Sequence, residues 1–158
     1  MLAVKQLQEL CLFHNFSISV AESCTSGSVS SAITSISGSS KYFKGGIIAY
    51  QNEIKINILG VSEDLISEKS EVSVEVVESM AYNSLLHFNS DFSVATSGYA
   101  GPIGSSNINP VGTVFISVSN RLDTITKRYS FQGDRQRIIS QATSEAISLL
   151  LSQIKKHK

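Results

Sequence analysis

Apolar positions recur along this chain with two alternating periods, and the alternation outlines its elements. Leu2, Leu7, Leu10 and Cys11, with His14, fall at helical spacing, so residues 2–15 read as an amphipathic helix. SISVA (17–21) is short and β-branched and predicts a strand. A polar turn from Glu22 to Gly27 leads into SVSSAITSI, which continues as a helix in spite of its serines. Tyr42 to Tyr50 reads as a strand entered through Gly45-Gly46. Asn52 is placed to cap a helix over 53–59, with Gly60 closing its C-terminal side. Ser62, Glu63 and Asp64 start a short helical turn. Ser73 to Leu86 is a stronger helix, with Val74, Val77, Ala81 and Leu85 at core spacing. FSVAT (92–96) is a strand running into Ser97-Gly98. GTVFISVSN and TITKRYSF predict a hairpin that turns at Asn120 to Asp123. Asp134 caps a last helix, buried along Ile138, Ala142, Ile147, Leu150 and Leu151.

Early strands separated by helices favour parallel pairing, whereas the late hairpin must be antiparallel. The expected fold is an α/β single-domain sandwich with a mixed, mostly parallel sheet and helices on both faces. No repeat or linker interrupts it. Pro102 and Pro110 bracket one polar loop, IGSSNIN, and neither half of the chain would bury a good core alone, so residues 1–158 are expected to form one domain. In such folds ligands collect at the carboxyl ends of strands. Here those ends are Ala21–Gly27, Tyr50–Asn52 and Thr96–Gly101.

Composition narrows the function. The 158 residues carry 13 basic and 13 acidic side chains, a formal net charge of +0, which argues against nucleic-acid binding through bulk positive charge. Charged residues are only 16% while serines number 29, so hydroxyls supply much of the polarity. Two cysteines cannot make a disulfide framework, and a reducing cytoplasm is the simplest setting. No apolar run approaches the roughly 20 residues of a membrane span. The first residues lack the basic cap of a signal peptide.

Three segments could hold chemistry. In Ala21-Glu22-Ser23-Cys24-Thr25-Ser26-Gly27 a strand enters a helix, and the exposed backbone N–H groups suit an anion or a developing oxyanion. Ser23 stands where a nucleophile would, although the segment also reads as a Ser/Thr-rich helix cap. Cys24 is the rival nucleophile, but a reactive thiol wants a cationic or histidine neighbour. His14, His87 and His157 all fall in helix or tail positions, so Cys24 reads as buried and inert, and Cys11 as core. No residues have metal-ligand spacing, and no cofactor is called for. Next, Tyr50 ends a strand and Lys55 lies one turn into the following helix. A desolvated lysine can activate a serine without a histidine, with a tyrosine relaying the proton; the plain alternative is a solvated helix lysine. Last, Thr96-Ser97-Gly98-Tyr99-Ala100-Gly101-Pro102 is a small-residue loop that could admit a ligand to the backbone, or simply turn the chain.

AESCTSG (21–27), GSSKYFKGGIIAYQNEIK (38–55), LGV (59–61), SGYAGP (97–102), PVGTVFI (110–116) and FQGDR (131–135) together resemble the carboxy-terminal domain of the CinA (competence/damage-inducible) proteins. The likeness runs from about residue 5 to 152 and suggests the stand-alone form, without an amino-terminal nucleotide-pyrophosphatase-like domain. The carboxy-terminal domain is also known as nicotinamide mononucleotide deamidase, a cytoplasmic bacterial enzyme. The resemblance implies hydrolysis of the nicotinamide carboxamide to nicotinic acid mononucleotide and ammonia, self-association, and a Ser–Tyr–Lys set on Ser23, Tyr50 and Lys55. It places substrate contacts at Ser97 and Arg135, and the same blocks extend them to Thr25, Ser26, Gly27, Asn52 and Gly98. Three positions depart from the pattern. Ser26 replaces a glycine, Tyr99 a smaller apolar residue, and Asn109 a frequent lysine. If the backbone at Ser26 needs a positive φ, the serine costs roughly 1 kcal/mol.

Two function classes follow. One is an amidohydrolase acting on nicotinamide mononucleotide, without direct nucleic-acid or membrane partners. The alternative is a non-catalytic nucleotide-binding or interaction module linked to competence or DNA-damage responses. Ammonia release from nicotinamide mononucleotide separates them.

Overall fold

The computed structural model describes residues 2–157. Five strands, β1 (Ile18–Glu22), β2 (Phe43–Ile48), β3 (Phe92–Gly98), β4 (Thr113–Asn120) and β5 (Thr124–Ser130), form one sheet in the order β2-β1-β3-β4-β5. β1 lies parallel to both β2 and β3, while β3–β4 and β4–β5 are antiparallel. Six helices, α1 (Leu2–His14), α2 (Ser28–Thr34), α3 (Asn52–Asn57), α4 (Glu63–Lys69), α5 (Val74–Phe88) and α6 (Arg135–Lys156), cover it. The expected mixed sheet with two helical faces is present.

Alternation along the strands divides the core in two. Ile18, Val20, Val94, Val114 and Ile116 point into one layer, against α1, α2 and α6. Ala21, Ala95 and Phe115 point into the other, against Val76, Val77, Met80 and Ala81 of α5 and the residues around α3 and α4. Small side chains on this second face let α5 approach the sheet. They include Ser19, whose hydroxyl pairs with Ser90 at 2.7 Å and accepts from Ser84 at 3.2 Å.

Several boundaries differ from those the sequence predicts. The helix expected over 53–59 begins at Asn52 itself. Gln51 is its N-cap residue, and no side chain caps it. Asn52 therefore does not cap; its side chain turns instead to Lys55. The second strand stops at Ile48, which leaves Tyr50 beyond its end. The third strand runs on through Ser97 and Gly98, because both residues pair with β4. A short 3-10 turn, Ser39–Lys41, had no clear sequence signal. The cap expected at Asp134 is made, and Ser62 and Ser73, read only as helix starts, also cap, each side chain accepting a backbone N–H three residues on.

The chain leaves β1 outward to β2 and returns across it to β3. The strand order thus reverses at β1, and the crevice beyond the carboxyl ends of β1 and β3 is where such a sheet opens to ligand.

Candidate active site

Ser23 follows β1 directly, and its backbone N–H donates to Thr96 O of β3 at 3.0 Å. The residue is thereby fixed between the ends of the two central strands. What shapes the turn after it is Glu22, a carboxylate only 1% exposed. Its Oε2 accepts from Thr25 Oγ1 at 2.6 Å and from the N–H groups of Gly27 and Val29, both at 3.0 Å. Its Oε1 accepts from Ser30 N at 2.8 Å and Ser30 Oγ at 2.7 Å. Glu22 thus serves as a cap for α2 from outside the helix, satisfying first-turn donors that Gly27, the N-cap residue, leaves open. Reading the sequence missed this role. The available signal was an acidic residue just ahead of a helix start.

The turn uses most of its own donors. Ser26 N donates to Ser23 O at 3.1 Å, and Gly27 N is committed to Glu22. Cys24 N and Thr25 N have no acceptor among the described residues, which narrows the possible oxyanion donors from the expected Cys24–Gly27 stretch to these two. Ser26 sits at φ 42, the left-handed region in which a serine costs about 1 kcal/mol relative to glycine.

Lys55 comes from the other direction, on α3 beyond the edge strand. It is 1% exposed, and its Nζ donates to Tyr50 O at 3.2 Å and Asn52 Oδ1 at 3.4 Å. Both acceptors are neutral, so no carboxylate pairs with the amine directly. Burial pulls its pKa below the ordinary lysine value, opposed by the negative charge of Glu71. Half-exposed Tyr50 receives a 2.7 Å hydrogen bond on its Oη from Arg135 Nη2, while Arg135 Nη1 donates to Gly101 O at 2.8 Å. Arg135, the first residue of α6, therefore ties the tyrosine to the loop that follows β3.

These groups meet in one cavity of about 180 Å³, lined by Ser23, Tyr50, Lys55, Ser97, Gly98 and Arg135 among others. Of the site residues predicted from sequence, Thr25, Ser26, Gly27 and Asn52 do not line it. Thr25 is fully buried, its hydroxyl shared between Glu22 and Thr96 Oγ1, the latter at 2.7 Å. Ser97 Oγ already donates to Glu71 O at 2.7 Å. Gly98 has a packing reason to be glycine: a Cβ there would collide with the Thr113 carbonyl and stand 2.7 Å from Val114 Cα. Glu71, Val72, Tyr99, Ala100 and Ile103 also line the cavity, and none was singled out beforehand as a ligand contact.

Cys24 also lines the cavity, but neither thiol is poised as a nucleophile. Burial raises Cys24 and Cys11 to about 12 each, so neither is a thiolate at neutral pH. His14 stacks on Phe16, and His157 Nε2 meets Asn120 Nδ2 at 3.0 Å, both away from the cavity. Among the described residues no helix is long and apolar enough to cross a membrane.

Comparison with known proteins adds the context. A family model, the CinA C-terminal domain, matches residues 2–154. A CinA-like protein of Fervidobacterium nodosum is 46% identical over 142 residues, covering 90% of this chain but 35% of that protein. The chain spans about a third of the length of such CinA-like relatives. The nicotinamide-nucleotide amidohydrolase PncC of Escherichia coli is 42% identical over 86% of this chain and 83% of its own length. Among solved structures, the competence damage-inducible protein A of Klebsiella pneumoniae superposes with a TM-score of 0.93 at 28% identity, covering 97% of this chain and 95% of that one. The competence or damage-inducible protein of Enterobacter asburiae does so at 0.92 and 30%, covering 96% of each.

Proposed function

The chain belongs to the CinA C-terminal domain family, and from that premise we propose that it hydrolyses the carboxamide of nicotinamide mononucleotide to nicotinic acid mononucleotide and ammonia. The observation that carries the reading is the convergence of Ser23 with a buried lysine whose charged form is disfavoured, in one cavity at the carboxyl ends of the sheet. An amide carbonyl needs a nucleophile, a base to unmask it and donors for the oxyanion, and the cavity can supply all three.

In this mechanism Lys55 Nζ, unprotonated, takes the proton of Ser23 Oγ, directly or through Tyr50, as Oγ bonds to the carboxamide carbon. The tetrahedral oxyanion faces the backbone N–H of Cys24, the residue of the turn after Ser23 that lines the cavity, a donor worth about 3 kcal/mol when aimed at developing charge. The carbon–nitrogen bond then breaks, and the proton held on Lys55 passes to the leaving nitrogen, which departs as ammonia. Water, deprotonated by the same lysine, attacks the acyl-enzyme. Ser23 regains its proton, and the nicotinate product leaves. Arg135, held at the cavity mouth, binds the nucleotide phosphate with its remaining N–H groups and keeps Tyr50 in place. We infer a cytoplasmic, self-associating enzyme without nucleic-acid or membrane partners, a setting supported by the balanced charge and the unpaired, buried cysteines.

The test is ammonia release from nicotinamide mononucleotide. Wild-type protein should release it, and Ser23→Ala should fold normally and retain less than about a hundredth of kcat. A Ser23→Ala protein with more than a tenth of wild-type turnover would remove Ser23 as nucleophile. Wild-type protein that binds the nucleotide without releasing ammonia would make the domain a binding module instead.

A further inference from the structure

The cavity contains one acidic side chain that the hydrolytic steps do not use. Glu71 lies in the segment between α4 and α5 and faces the same space as Ser23, Lys55 and Tyr99. Its carboxylate has only weak company. Tyr99 Oη donates to Oε1 at 3.4 Å and Ser70 Oγ to Oε2 at 3.3 Å, and no ion pair neutralises it among the described residues. A half-buried carboxylate held this loosely keeps lone pairs and charge available for a bound group.

The cavity is therefore polarised. Arg135 stands at the exposed mouth, beside Tyr50, and Glu71 sits on the inner wall, close enough for its charge to act on the Lys55 amine. A pyridinium nucleotide carries the matching pair, an anionic phosphate on one end and a cationic ring on the other. The ring bears the reacting carboxamide, and a single ring carbon separates its point of attachment from the charged nitrogen. A carbonyl placed at Ser23 thus brings the cationic ring, and not the sugar, to the part of the cavity near Lys55 and Glu71. We propose that Glu71 reads the positive charge of the pyridinium ring, so that the site selects oxidised nicotinamide mononucleotide over its reduced form, whose dihydropyridine ring is neutral. The inference rests on the substrate reading above and makes it sharper. Tyr99 acts as a positioning residue for the carboxylate through its hydroxyl.

The experiment compares dissociation constants of the oxidised and reduced mononucleotides, measured by calorimetry on the full chain, for wild type, Glu71→Gln and Glu71→Lys, with ammonia release recorded in parallel. The two ligands share carboxamide, ribose and phosphate and differ in ring charge. Wild type should prefer the oxidised ligand. Glu71→Gln, nearly isosteric, should weaken the oxidised ligand about tenfold, the scale of one charge-assisted contact, and leave the reduced one within about twofold. Glu71→Lys should favour the reduced ligand. Equal losses for both ligands, or none, would overturn the inference even if wild type turns over the oxidised nucleotide. Charge-selective binding without ammonia release would leave Glu71 in this role and refute the hydrolase reading. Failure of wild type to bind either ligand would refute both.

Discussion

At the residue scale the proposed chemistry depends on a lysine whose burial is unfavourable to its charged form. Lys55 has a pKa below its unfolded value, so between the two values the unfolded chain holds a proton that the folded chain does not. Stability contributed through this group is fully present above about 10.5 and is lost as pH falls through the lowered value. Turnover should rise with pH over the same window as the free amine appears, and level off below the ordinary lysine pKa. Lys55→Met should abolish that limb and most of kcat. In denaturant titrations across the window, the stability of wild type relative to Lys55→Met should improve as pH increases. A Lys55→Met protein with near-native kcat and an unchanged pH profile would make Lys55 a plain structural residue and return the base to another group.

At the element scale the turn after Ser23 and α2 are one object, because Glu22 accepts from both. An amide at this position must replace an acceptor with a donor. It would then face either the Thr25, Gly27 and Val29 donors or both Ser30 donors. Glu22→Gln should therefore cost about 3 kcal/mol in urea unfolding and lower kcat more than the loss of folded protein explains. Unchanged stability would mean that the turn is held by its own backbone bonds. The difference between Glu22 and Ser23 shows what a sequence can convey. Periodicity located the helices and strands because apolar alternation is local, and Asp134 signalled its cap three residues ahead. Ser23, Tyr50, Lys55 and Arg135 could be singled out because strand ends and spacing are local too, and the family pattern singled out the same residues. Glu22 offered only the weak signal of an acidic residue ahead of a helix start, because the bonds from Thr25 to Ser30 depend on how the turn curls back over it. Glu71 offered none: nothing in the run Glu68-Lys69-Ser70-Glu71 places one carboxylate opposite Lys55. Asn52 looked like a cap from its type alone, but the helix already includes it, and its side chain accepts from Lys55 one turn on.

At the scale of the whole molecule the cavity is assembled from parts with unequal support. Ser23 follows β1 and Ser97 stands on β3, two strands that are each paired on both sides. Tyr50 and Lys55 follow β2, which has a neighbour on one side only, and the Arg135–Tyr50 bond links this edge to α6. Local opening is cheapest where strands lack a second partner. The edge strand with α3 should therefore exchange its amide hydrogens faster than β1 and β3, and amidase activity should vanish at a lower urea concentration than far-ultraviolet ellipticity. Coincident midpoints would show that β2 and the sheet centre melt together. The position of β2 in the sheet should thus give the domain two stabilities, one for persisting as a folded object and a smaller one for keeping the cavity assembled, with the gap between them set by how firmly the outermost strand is held.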